Sequence, residues 1–253
     1  MTTELILLCI AAFLAGFVDA VSGGGGLIQT PAALILLPQH PVAVVIGTLK
    51  IPAFTGTSVA AIQFARKVKL NYTRLLIMII ISFCAAFTGS KILTLISNSF
   101  MKPVLLVVLI AVAVYTYFNK NFGVHTAKDH SERQQYWYAI LISALLGFYD
   151  GFIGPGAGSF LVLTFITLMG YDFLSASAHS KFVNLASNCG SMIFFMLSGK
   201  IIYTIALPMA VCNAAGGLLG ARMAILRGNK FIRIFFLCVV ILTIVRFAYD
   251  VLK

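Results

Sequence analysis

The sequence predicts an all-α integral membrane protein assembled from two copies of one helical unit, and two observations carry that reading. Of the 253 residues, 60% are hydrophobic and only 10% charged, and the mean hydropathy is +1.02. That leaves too little polar surface to cover a soluble globule, so the lipid bilayer is the expected surrounding. In addition, LAGFVDAVSGGG at residues 14–25 returns as LLGFYDGFIGPG at residues 145–156, with Gly16 on Gly147, Phe17 on Phe148, Asp19 on Asp150, Gly23 on Gly154 and Gly25 on Gly156. The same register, without a gap, places Lys50 on Lys181, Gly89 on Gly220 and Lys91 on Arg222. Self-similarity of this length makes the unit, rather than the whole chain, the thing to interpret.

Apolar runs define the elements in order. The first copy has runs at residues 4–21, 27–37, 42–64, 71–96 and 103–118, and the second at 136–152, 159–169, 174–197, 202–221 and 234–250. The first run lacks a basic leader and a small-residue cleavage site, so it is expected to be retained as a span. The second run of each copy is short. Eleven residues at about 1.5 Å each reach roughly half of a hydrocarbon core about 30 Å thick, which puts the glycine end near mid-depth. Backbone left open there is tolerated only where protein or a wet cavity satisfies it. Residues 1–119 therefore read as the first membrane repeat, 120–135 as a cytoplasmic connector and 136–253 as the second repeat.

The net charge of +11 would suggest nucleic acid in a soluble protein. Here the Lys and Arg cluster between apolar runs, so they report topology and no nucleic-acid partner is expected. Arg66, Lys67, Lys69 and Arg74 mark one cytoplasmic loop, whereas in the second copy the basic loop is one span later, at Arg222, Arg227, Lys230 and Arg233. Such a shift is what two oppositely inserted copies require. Five elements per copy, counting the long and short runs as an in-and-back pair, put residues 65–74, the connector and residues 222–233 inside and both termini outside. Four spans per copy would instead make the copies parallel.

Asp19 and Asp150 are acids inside apolar segments, where an ionisable group costs several kcal/mol unless paired or hydrated. A role in proton coupling is one reading; acceptance of N–H bonds from the adjoining glycine turn is the other. Gly23, Gly24, Gly25 and Gly26, with Gly154, Gly156 and Gly158 in the second copy, permit tight turns that bring N–H groups near a ligand. Each turn opens a short helix with Ser22 or Ser159 as an expected polar cap. Two helix N-termini meeting at mid-depth favour an anion, and close helix packing is the competing use of the glycines. Lys50, about 12 Å into its run, is expected to bind substrate, to snorkel or to pair with Asp19. Lys181, Asn184 and Asn188 share one helical face and add donors. The scattered cysteines lack the close pairs of a metal site, and no metal or cofactor is expected.

The paired GFxDxxxGxG motifs at Gly16–Gly25 and Gly147–Gly156, followed by deep Lys50 and Lys181, resemble the TauE/SafE sulfite exporter family of membrane permeases. The resemblance spans residues 4–250. It implies transport of a small sulfur-containing anion, sulfite, thiosulfate or an organosulfonate, across a bacterial inner membrane, with the aspartates and glycine turns at the translocation site. The turns are unequal, because Gly24 is matched by Pro155 and Gly26 by Ala157. The leading expectation is a secondary transporter working by alternating access, since no GxxxxGK[ST] run is present. The alternatives are a passive anion channel and an intramembrane hydrolase using Asp19 and Asp150, for which neither HExxH nor GxSxG offers support. An enzyme is not expected.

Overall fold

The computed structural model describes residues 2–101, 104, 107, 108 and 131–252, with side chains described between residues 3 and 227. The predicted run at 103–118 falls almost wholly outside the described residues, as does the connector up to residue 130. The described elements are helices: α1 (Thr2–Ser22), α2 (Gly26–Leu36), α3 (Val42–Ala65), α4 (Tyr72–Leu95), α5 (Glu132–Phe152), α6 (Ala157–Met169), α7 (Phe173–Leu197) and α8 (Tyr203–Leu252).

Among the described residues, four helical stretches are long and apolar enough to cross a membrane: Thr3–Ser22, Val42–Ala65, Tyr72–Leu95 and Tyr203–Arg227. At 21 and 25 residues, α5 and α7 also have the length. Their mean hydropathy is lowered by the polar start of α5, ERQQYWY, and by the buried polar face of α7. The distribution of polarity is that of a bilayer protein. Ile6, Leu14, Ile80, Leu141, Leu145 and Val211 are exposed, while Lys50, Asp150, Lys181, Asn184, Asn188 and Asn213 are buried. Large apolar side chains on the outside and ions on the inside suit a lipid surround with a polar interior path.

Helix ends follow local chemistry. Asn71 caps α4 by accepting from Arg74 N, and Asp172 caps α7 by accepting from Leu174 N and Ser175 N. Ser131 and Gln134 form a capping box that starts α5 four residues before the predicted run at 136. A larger difference concerns residues 222–233, expected as a loop. They lie within the single 50-residue helix α8, because that stretch has Gly228 as its one weak helix former and no proline.

Packing pairs helices across the sequence repeat. Gly16 of α1 backs onto Asn213 of α8, and further along both helices Gly220 backs onto Phe17 and Ala20. In the matching place, Gly147 of α5 backs onto Ser82 of α4, and Gly89 onto Phe148 and Phe152. At each site a Cβ would strike backbone, so glycine permits the approach. Contact positions rise together along both chains, so α1 runs beside α8 in the same sense, and α4 beside α5. By the same test α3 accompanies α8, since the Thr48 hydroxyl accepts from Ile202 N and Thr55 Oγ1 donates to Ala210 O. Likewise α4 accompanies α7, through Arg74 to Tyr171 and Ser82 Oγ to Val183 O.

Candidate functional site

Between α1 and α2, and again between α5 and α6, the chain reverses on glycines. Gly23 has φ of +81°, and Gly154 and Gly156 have φ of +92° and +80°, a region that L side chains rarely adopt. The two turns touch. A Cβ on Gly23 would lie 2.6 Å from Gly158 O, and one on Gly26 would lie 3.1 Å from the Cα of Pro155. Gly23 and Gly158 thus serve close backbone approach. The short apolar helices α2 and α6 start from these touching turns, as expected from the length of the runs.

Ending α1 and α5 inside the protein leaves last-turn carbonyls in need of donors. Two lysines supply them. Lys50 Nζ donates to Asp150 O at 2.6 Å and to Asp150 Oδ1 at 3.2 Å. Lys181 Nζ donates to Asp19 O and, at 3.3 Å, to Asp19 Oδ2. A cation here also complements the negative end of the helix dipole. Each carboxylate takes a further hydroxyl: Ser187 Oγ donates to Asp150 Oδ2 at 2.5 Å, and Thr57 Oγ1 to Asp19 Oδ2 at 3.2 Å.

The pairing is crossed, which corrects the expectation of a Lys50–Asp19 pair. The reason is helical phase. Leu49 faces α1, packing with Leu8 and Ala12, so Lys50, about 100° further round α3, points to the opposite turn. Both pairs are deeply buried, the side chains of Lys50 and Asp150 each being 6% exposed; Lys181 is 1% and Asp19 16% exposed. Two cations and two anions cancel, so this centre has no net positive charge.

A cavity of about 60 Å³ lies against these groups. Of the sequence-predicted residues, Lys50, Asp19, Asp150, Asn184 and Asn188 line it, together with Gly23, Gly25, Gly26, Gly154, Gly156 and Gly158. Gly24, Ser22, Ser159 and Lys181 are buried and are not part of its wall. The serines do not act as caps: Ser22 Oγ donates back to Val18 O, and Ser159 Oγ donates to Ser22 O, tying the two turns together. The helix starts are capped without side chains, at Gly25 and Gly156. Sequence reasoning missed three polar wall residues, Gln29, Thr30 and Asn213. Gln29 and Thr30 interrupt the apolar run of α2, and that interruption was the available signal. Asn213, in CNAAGGLLGARM, had none beyond its polarity. Among the described residues no group of His, Cys, Asp and Glu could hold a metal ion.

The sequence profile described as Sulfite exporter TauE/SafE matches residues 8–247. A probable membrane transporter protein, ORF9, of Sinorhizobium is 35% identical over 246 residues, covering 97% of this chain and 93% of the relative. A probable membrane transporter protein of Haemophilus influenzae is 35% identical over 229 residues, covering 90% and 88%. The probable membrane transporter protein YfcA of Escherichia coli K12 is 32% identical over 237 residues, covering 92% and 86%. No solved structure matches the chain significantly.

Proposed function

We propose, from the premise that the chain belongs to the sulfite exporter TauE/SafE family, that this multi-pass membrane transporter moves a small sulfur-containing anion by alternating access between two inverted repeats. The repeats are residues 1–119 and 136–253, joined by a cytoplasmic connector, in a bacterial inner membrane with the N-terminus outside. The expected return of the chain to the outside after residue 233 needs a turn, and α8 continues through residues 222–233 without one. Inversion is supported by helix sense: α1, α3 and α8 run one way, and their repeat mates α5, α7 and α4 run the other. The two sets are opposed because α3 meets α7 in the opposite sense, with Gly47 against Phe195 and the later Phe54 lining one cavity with the earlier Phe182 and Leu185. The observation that carries the transport reading is the crossed pair of lysine–aspartate bridges where the two glycine turns meet, beside a polar cavity.

Each bridge ties one repeat to the other, so relative movement of the repeats must break or remake it. An anion reaching Lys50 competes with Asp150 for the same cation. Adding a negative charge to a balanced, buried centre is costly, and a proton on Asp150 restores the balance while releasing Lys50. Anion and proton then travel together. Neither aspartate is a free acid or base, since each holds a lysine, and the named relatives are transporters rather than enzymes.

The test is counterflow in proteoliposomes, with labelled sulfite, thiosulfate or an organosulfonate outside and unlabelled anion inside. A carrier accelerates entry of the label and an open pore does not. The uptake rate should rise with falling pH, and the Asp19→Asn/Asp150→Asn double variant should lose that dependence. Uptake without counterflow would overturn alternating access, and an unchanged pH profile in the double variant would overturn proton coupling.

A further inference from the structure

The two short helices contribute unequally to the cavity wall. Gln29 and Thr30 of α2 are 4% and 5% exposed and line the cavity, whereas their repeat mates on α6 are Phe160 and Leu161. Lys50 lines it and Lys181 does not. At these two places the first copy supplies the polar group, and Asn184, Asn188 and Asn213 of the second copy complete the wall.

Gln29 is held in one orientation. Asn213, 3% exposed, packs its side-chain oxygen against Gly16 and Gly56, where a Cβ would collide with it. Its amide nitrogen faces Gln29 and donates to Gln29 Oε1 at 3.0 Å. That leaves Gln29 Nε2 buried and without a partner, on a residue that lines the cavity. A buried donor left unpaired costs about 1–3 kcal/mol, so one retained beside a cavity points to a ligand that satisfies it.

We infer that Gln29, positioned by Asn213, is the second anchor of the anion site: Lys50 Nζ neutralises the ligand's charge and Gln29 Nε2 donates to one of its other oxygens. This deepens the transport reading above and rests on it. The volume sets the ligand class. At about 10–15 Å³ per water-sized position, a cavity of about 60 Å³ offers about four to six such positions. That suits an inorganic oxyanion with a few oxygens around one central atom and is too small for a sulfonate with a bulky organic group. Repeat symmetry would have allowed two equivalent sites. The replacement of Gln29 by Phe160 in the second copy leaves one.

Isothermal titration of the purified full chain in nanodiscs with sulfite, and separately with benzenesulfonate, tests this. Wild type should bind sulfite and not benzenesulfonate. Gln29→Met, which keeps length and loses the donor, should raise the sulfite Kd roughly ten- to a hundredfold. Gln29→Glu keeps the acceptor for Asn213 but turns a carboxylate oxygen toward the ligand, and should abolish binding. Asn213→Asp should weaken sulfite binding, because Gln29 would then give its amide to the new acceptor, and Asn213→Asp/Gln29→Met should be no weaker than Gln29→Met alone. Sulfite binding unchanged in both folded Gln29 variants would overturn the inference and leave the transport reading standing. Equal binding of benzenesulfonate by wild type would overturn the size limit. Wild type that binds no anion would overturn the transport reading itself.

Discussion

Neutralising Asp150 should destabilise the fold markedly, and removing Lys50 as well should recover most of the loss. Both side chains are 6% exposed and their charged atoms lie 3.2 Å apart. Removing one partner of such a buried pair costs about 3–5 kcal/mol because the other charge is left uncompensated. In Asp150→Asn, Lys50 keeps the backbone oxygen of residue 150, now 2.6 Å away, and Ser187 keeps an acceptor. The lower end, about 3 kcal/mol, is therefore expected. For a chain of this size that corresponds to a fall in Tm of roughly 6–12 °C. Adding Lys50→Met removes the stranded cation and should restore most of that fall, since apolar replacement of a whole buried pair is often neutral. Adding Lys181→Met instead should deepen the fall, because that lysine belongs to Asp19. Scanning fluorimetry of the purified protein in one detergent reads wild type and all three variants. If Lys181→Met rescues Asp150→Asn and Lys50→Met does not, the bridges lie within repeats, and the crossed arrangement is wrong.

Two further outcomes follow from the turns and caps. Gly23→Ala combines a φ of +81° with a collision against the backbone of Gly158 and Ser159, whereas Gly199→Ala has a similar φ of +63° and open space around it. Gly199→Ala should cost about 1–2 kcal/mol, or a few degrees of Tm, and Gly23→Ala clearly more; equal losses would mean that the two turns do not pack on each other. At the start of α7, partial burial works to raise the Asp172 carboxyl, but hydrogen bonds from Ser175 and Leu174 prevail and hold it below the ordinary carboxylate value. A depressed folded value gives stability that is complete above the unfolded value and is lost as pH falls through the folded one. Asp172→Ala should therefore lower Tm at neutral pH, by an amount matching a cap loss of about 1 kcal/mol, and the difference should narrow below about pH 4, as followed by thermal melts across pH.

Much of the helical layout was legible because it rests on local properties. The runs at 27–37 and 159–169 announced helices too short to cross, and they are observed at Gly26–Leu36 and Ala157–Met169. Glycine spacing announced the reversals at Gly23 and Gly154. What misled was charge at a helix end. The basic cluster at 222–233 reads as a loop by its cations, yet cations do not break a helix, and α8 continues through them. The serine caps failed for a related reason. Ser22 and Ser159 stand at the right chain positions, but their hydroxyls have nearer acceptors in Val18 O and Ser22 O.

The partners of the charges were not legible, because a repeat reveals equivalence and not contact. An offset that matches Asp19 with Asp150 and Lys50 with Lys181 is satisfied equally by pairs within a copy and by pairs between copies. Only the phase of α3 decides, and that phase depends on which face α1 covers. Once Leu49 is committed to Leu8 and Ala12, Lys50 has no route to its own aspartate. The same limit hid Gln29. Its acceptor is occupied by Asn213, 184 positions away, and Asn213 in turn packs against Gly16 and Gly56. Residues on four helices meet around this one amide. The repeat could locate the shared centre, but the contacts that pair its charges and occupy Gln29 belong to the assembled fold.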